Sequence, residues 1–329
     1  KRKRSVPISK NNKTILIAGA TGYIGSQVVK KLTLLRYKTI CLTRDKKLKE
    51  NKSLEVFNVD LTNALEMKEI VNTLPKIDVI ISCIGSYTGG IKDSWNVEYN
   101  ANKNLLDLGL YFSINQFILL SAICVQKPKL EFQWAKIAFE KLLINSGITY
   151  SIVRPTAFFK SLSGQLKNVK SGKKFIYFDN GVNTSCKPIS ENDLAQYICK
   201  CILSKDKLNK ILPIGGPGPA LTPLQTGNLL FNLVGQTPNF KRVPSKLFTI
   251  LAICLIPLAF FSKRIADAQQ FLRIANYYAT ESMLVYNHET SSYDETLTPE
   301  FGTDTLENHF KKLLAADHEI NELGAHKLF

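Results

Sequence analysis

The residues best suited to chemistry fall in three short stretches. The first is Gly19-Ala20-Thr21-Gly22-Tyr23-Ile24-Gly25, lying between an apolar run and a helical pattern. Small residues there let the backbone approach a pyrophosphate. The helix that follows offers unpaired N–H groups and a partial positive charge. The plainer alternative is a tight strand-to-helix turn. The second stretch is Thr43-Arg44, followed by Asp45, Lys46 and Lys47. A carboxylate at this place would bind a ribose 2′-hydroxyl, whereas a guanidinium suits a 2′-phosphate, often as a bidentate pair. Arg44 therefore points to NADPH, with Asp45 diluting the preference and an ordinary surface charge as the other reading. Asp60-Leu61 falls where an adenine ring would lie, and Cys83 where the backbone would pass the ribose and nicotinamide; Pro155 joins this set. Asp60 has an alternative use as the cap of a helix beginning near Asn63.

The third stretch is a catalytic slot with a substitution in it. Short-chain dehydrogenases end the fifth strand with Ser and carry Tyr-x-x-x-Lys on the next helix, which places Tyr and Lys on one helical face. There, Lys lowers the phenol pKa and holds the nicotinamide ribose, and Tyr gives a proton to a carbonyl oxygen. This sequence has Ser121 and then Phe132-Gln133-Trp134-Ala135-Lys136. Phe132 has no acidic proton, so carbonyl reduction through that position is closed. Either the protein does not catalyse, or its substrate develops no oxyanion there. An alkene conjugated to a large π system meets the second condition, because the charge left by hydride addition spreads into the ring. Lys136 would still position the ribose. The alternative is an ordinary core Phe and surface Lys.

The elements that must position these residues alternate. Apolar runs at 14–19, 38–43, 54–60, 77–83, 116–121 and 149–155 read as strands. Helical patterns separate them, among them Ile24 to Leu35, Glu98 to Phe112 and Glu131 to Ser146. The alternation predicts α/β architecture, a doubly wound parallel sheet of the NAD(P)-binding Rossmann type. Beyond Arg154-Pro155 turn signals multiply, at Gly172, Asp179-Asn180-Gly181 and Gly215-Gly216-Pro217-Gly218. The expected division is a basic, disordered tail over 1–12, a nucleotide domain over 13–160 and a smaller substrate-capping region over 161–329.

Composition narrows the partners. The chain has 329 residues, 45% hydrophobic, enough for one large core, and a formal charge of +16 that favours anionic ligands. No zinc-finger spacing or aromatic-interleaved basic stripe supports nucleic acid. Seven cysteines, an odd number, argue against a disulfide framework and for a reducing compartment, and no metal site is expected. The longest apolar run, 247–261, is too short to span a bilayer as a helix. Burial is the expected reading, with peripheral contact at a membrane surface as the alternative.

Long segments carry a resemblance: TGGIKDSW at 88–95, LLSAICVQKP at 119–128, YSIVRPTAFFKSLSGQ at 150–165, CKPIS at 186–190, LPIGGPG at 212–218, ALTPL at 220–224 and YYATESML at 277–284. On these the chain, from about Lys13 to Phe329, resembles the divinyl chlorophyllide 8-vinyl reductases. These are atypical short-chain dehydrogenases related to NmrA-like and isoflavone-reductase-like proteins. The resemblance implies NADPH-dependent reduction of a vinyl to an ethyl group on a Mg-tetrapyrrole, in a plastid, with Phe at position 132 as part of the pattern. The basic stub at Lys1–Arg4 then reads as the remnant of a removed transit peptide. Substrate-facing candidates are Phe158, Phe159, Lys160, Gln165, Cys186 and Lys187: aromatics for a flat macrocycle, a lysine for its carboxylate. Core packing or solvated charge is the alternative for each. The proton donor stays open between Tyr87, Cys124, Tyr278 and water. Two further readings compete: a non-catalytic NADPH-binding sensor or assembly factor, and reduction of another conjugated alkene.

Overall fold

Thr14–Ala18 (β1) is a strand whose successive side chains serve two different cores. Ile15 and Ile17 pack with Ile24, Val28, Leu32, Leu194 and Ile198 on one face; Leu16 and Ala18 pack with Leu105, Leu106, Phe117 and Phe139 on the other. A strand covered on both faces has no need of polar alternation, which is why it reads as a continuous apolar run. Ile15, Leu16 and Ile17 are wholly buried, each worth about 1.5–3 kcal/mol of apolar burial.

The computed structural model describes residues 13–44, 48, 50–259 and 261–316. The expectations for the 1–12 tail and for Asp45, Lys46 and Lys47 lie outside the described residues. The strands are β1, β2 (Lys38–Thr43), β3 (Leu54–Asn58), β4 (Val79–Ser82), β5 (Gln116–Leu120), β6 (Tyr150–Pro155), β7 (Phe175–Phe178), β8 (Lys210–Ile214) and β9 (Phe240–Val243), followed by a hairpin, Val285–Asn287 with Ser292–Asp294. Seven form one sheet in the order β3-β2-β1-β4-β5-β6-β8, every pair parallel. Ile15 stands opposite Thr39 on one side and Val79 on the other. Strand order therefore reverses between β1 and β4, and the crevice at their carboxyl ends is where such sheets bind ligands.

Six strands match the sequence reading to within two residues. The seventh, β8, comes from beyond residue 161. Helix Glu191–Lys200, also from that part, packs against helix Tyr23–Leu34. The later half of the chain thus completes the main sheet and one of its helical layers. Ser190 starts helix Glu191–Lys200 by accepting from Asp193 N–H at 2.9 Å, with Glu191 and Asp193 in the first turn, where negative charge suits the helix dipole.

The helix expected from Glu98 begins earlier. Ile91–Ser94 is α-helical, Trp95–Ala101 is a π-helix, and Asn102–Phe112 resumes the α form. A π segment this long is rare and marks functional sites more often than not. Beyond the sheet, Phe159, Leu166, Val169, Phe175, Leu230, Phe231 and Phe310 build a separate core, away from those on the two sheet faces and beside the small parallel pair β7–β9. All seven cysteines are free.

The apolar run departs from expectation. It forms helices Lys246–Cys254 and Ile256–Ala259, and in the first only Ala252 is buried. Ile250, Ile253, Ile256 and Leu258 are exposed, and Phe261 is 90% exposed. Burial of this run is therefore overturned. Periodicity cannot assign an outward face to a segment in which nearly every residue is apolar.

Candidate active site

A cavity of about 1040 Å³ opens at the carboxyl edge of the sheet and runs from β2 to the second half of the chain. That volume is at the top of the range for small-molecule sites. Its nucleotide end is built by backbone. Gly19 has φ of +80°, and a Cβ there would lie 2.5 Å from the Cys83 carbonyl oxygen; one on Gly25 would lie 2.0 Å from that of Gly19. Only hydrogen fits at either place. Helix Tyr23–Leu34 then starts at Gly22 with no side-chain cap and no acid in its first turn, leaving its N–H groups and dipole for an anion. This observed cradle fits a dinucleotide pyrophosphate.

Gly19, Thr21, Gly22 and Tyr23 line the cavity, as do Arg44, Asp60, Leu61, Cys83 and Pro155. Ala20, Ile24 and Gly25 do not. Ala20 and Ile24 pack into the core, and Gly25 keeps the turn tight. Asn63, not Asp60, caps the helix Ala64–Ile70, accepting from Leu65 N–H at 3.1 Å. Asp60 instead accepts from Thr62 N–H at 2.9 Å and Thr62 Oγ1 at 2.8 Å, which fixes the carboxylate at the cavity wall. Burial pushes the Cys83 thiol up to about 12, so it stays neutral.

None of the three catalytic-slot positions lines the cavity. Ser121 donates to the buried Glu140, which Arg154 also holds. Phe132 packs in a cluster with Cys124, Tyr277 and Tyr278. Lys136 Nζ donates to Glu98 Oε2 at 2.7 Å, with the side chains 12% and 3% exposed. Glu98 Oε1 accepts from Ser86 N–H at 2.8 Å and Ser86 Oγ at 3.1 Å. Lys136 is thus linked through Glu98 to Ser86, which does line the cavity. Sequence reasoning missed Glu98: it lies on the π segment, 38 residues from Lys136, and no local spacing links the two.

Of the substrate-facing candidates, Phe158, Lys160, Gln165 and Cys186 line the cavity. Lys160 Nζ lies 5.3 Å from the Tyr23 ring centroid, and Tyr23 and Phe158 rings are 6.1 Å apart. Gln165 spends its amide on β7, donating to Ile176 O at 2.7 Å and accepting from Ile176 N–H at 2.6 Å. Burial pushes the Cys186 thiol up to about 12. Phe159 and Lys187 do not line the cavity. Phe159 is 1% exposed in the separate core beyond the sheet, and Lys187 is buried and paired with Glu300. Among the three protein candidates for proton donor, Tyr87 is 75% exposed at the cavity rim, whereas Cys124 and Tyr278 line its interior.

The NmrA-like family profile matches residues 11–302. The divinyl chlorophyllide a 8-vinyl-reductase of Cucumis sativus is 46% identical over 332 residues, covering 96% of this chain and 79% of that one. The enzyme of the same name from Zea mays is 40% identical over 342 residues, covering 99% and 85%. Both relatives are named chloroplastic. Among solved structures, an NADPH-dependent quinone oxidoreductase of Escherichia coli superposes with a TM-score of 0.64 at 14% identity, covering 91% of this chain and 99% of that one, a likeness of fold. The chain therefore belongs to the NmrA-like family and, within it, to the divinyl chlorophyllide a 8-vinyl-reductases.

Proposed function

We propose that this chain reduces the 8-vinyl group of a divinyl chlorophyllide or protochlorophyllide to ethyl with NADPH, in the chloroplast. The observation that carries the reading is identity of 40–46% with reductases of that name over nearly the whole chain. The substitution at Phe132 supports it, because a delocalised carbanion needs no acid on an oxygen at that slot.

Within this reading, the Gly19–Gly22 turn and the N-terminus of helix Tyr23–Leu34 hold the pyrophosphate, and Arg44 pairs with the 2′-phosphate. Asp60 and Leu61 flank the adenine, and Cys83 to Ser86 pass the ribose and nicotinamide. When bound, the reduced nucleotide supplies a hydride to the vinyl group. Lys136, through Glu98 and Ser86, keeps the loop beneath the nicotinamide in place. Phe158 and Cys186 offer an apolar wall to the macrocycle, and Lys160 offers a cation to its propionate.

The exposed apolar face of 247–261 is assigned to an anionic lipid surface. Lys241, Arg242, Lys246, Lys263 and Arg264 are exposed around it, the pairing of apolar face and basic border that interfacial helices use. Phe248, on its first turn, stacks 4.9 Å from Phe178, which lines the cavity, so the lipid face adjoins the pigment end. Among the described residues no helix is long and apolar enough to cross a membrane.

The test of the reaction is purified protein with NADPH and divinyl chlorophyllide, followed by chromatography. The monovinyl pigment is the expected product. NADPH bound without any monovinyl product would favour a non-catalytic sensor or assembly factor instead.

A further inference from the structure

The side chain in the tyrosine slot shares a hydrophobic cluster with a phenol. Phe132 packs into a cluster made of Ile123, Cys124, Leu130, Cys186, Ile274, Tyr277 and Met283, and Tyr278 packs against the same cluster. Tyr278 arrives from the far end of helix Lys263–Thr280, in the second half of the chain, and lines the cavity. Its hydroxyl hydrogen-bonds the Cys124 thiol, which also lines the cavity. The neighbouring Tyr277 faces away: its hydroxyl donates to the carbonyls of Cys124 at 2.9 Å and Lys127 at 3.1 Å, and it does not line the cavity. Tyr278 and Cys124 thus line the cavity within electrostatic reach of the Glu98–Lys136 pair, where the hydroxyl of Ser86 is already committed to Glu98.

On the strength of the reductase reading above, we infer that Tyr278 is the catalytic acid, supplying from helix Lys263–Thr280 the proton that Phe132 cannot. The Tyr278 Oη–H bond breaks as a C–H bond forms at the vinyl carbon that does not receive the hydride. The electron pair of the delocalised carbanion becomes that new bond, and the phenolate left behind takes a proton from water as product leaves. Cys124 is a positioning residue that holds the hydroxyl in place. Burial, then Cys124, holds the Tyr278 phenol well above its ordinary range, so its proton is in place at every neutral pH. Burial also raises the Cys124 thiol, so the hydrogen-bonded pair is neutral at rest.

Tyr278→Phe keeps the ring and removes the proton. The expected result is a fall in kcat of roughly 10²-fold or more, the usual worth of a positioned acid, with NADPH binding by calorimetry unchanged. The solvent deuterium isotope effect on kcat should change at the same time. A second variant guards against a folding defect: fluorotyrosine at 278, which is nearly isosteric and more acidic, should move the alkaline limb of the pH–rate profile to lower pH. Wild-type turnover by Tyr278→Phe, or an alkaline limb unmoved by fluorotyrosine, would overturn the assignment. If the wild-type protein itself yields no monovinyl pigment, the reductase reading fails, which is a separate result.

Discussion

The two ends of the cavity are built by different means. At the nucleotide end the tight places are backbone against backbone: a Cβ on Gly25 would meet the Gly19 carbonyl at 2.0 Å, and one on Gly19 the Cys83 carbonyl at 2.5 Å. Toward the other end the tight places are side chains. A Cβ on Gly181 would meet Leu224 and Tyr177 at 2.7 Å, and one on Gly227 would meet Phe240 at 2.5 Å. Backbone cannot move without breaking the sheet, whereas aromatic and aliphatic side chains can change rotamer. Gly216, with Pro188 O at 2.0 Å, lies beyond residue 161 yet follows the first rule, because it comes just after β8 of the main sheet. The lesson is that construction follows the layer a residue belongs to, not the half of the chain it comes from. One end is a fixed frame of backbone, the other a packing of side chains that can be redrawn.

The substitution with the largest expected effect strikes the fixed frame. Gly25→Ala should abolish NADPH binding, because its methyl has no place to go except into the Gly19 carbonyl. Calorimetric titration reads this directly, and ordinary affinity in the variant would break the contrast. Arg44→Ala comes next. It removes a side-chain contact from a backbone-built end, so the fold should hold while KM for NADPH rises about tenfold, the worth of one charge-assisted hydrogen bond. KM for NADH should barely move, and equal changes for both nucleotides would strip Arg44 of its role. The smallest effect on turnover is expected from Ile250→Glu with Ile253→Glu, on the lipid face. Turnover with dispersed pigment should be unchanged, and cosedimentation with phosphatidylglycerol-containing vesicles should drop several-fold, since charge replaces the apolar surface that would enter the headgroup layer. Undiminished vesicle binding would remove the lipid assignment.

The sheet was legible because a two-sided strand must be apolar throughout, and the glycine turn because only hydrogen fits at Gly19 and Gly25. The cavity positions of Arg44 and Asp60 followed from their place just beyond strand ends, and those of Phe158, Lys160 and Cys186 from the family resemblance. Residue type alone did not reveal the polar partners. Ser121, Lys136 and Lys187 look equipped to meet a ligand, but each has its polar atom taken by a carboxylate, Glu140, Glu98 and Glu300 respectively. These partners lie 19, 38 and 113 residues away along the chain.

The sequence by itself determined what depends on local rules: the alternation of strand and helix, the phosphate-binding turn, the cationic end of β2, and the absence of an acid at position 132. Tertiary structure alone decided which polar groups meet the cavity and which meet each other, that the apolar run 247–259 faces outward, and that a phenol from residue 278 joins the cluster against which Phe132 packs. The reason is physical. Periodicity and spacing constrain atoms a turn or a pleat apart, while a buried ion pair or a hydrogen-bonded thiol and phenol depend on elements brought together by packing, which leaves no local mark.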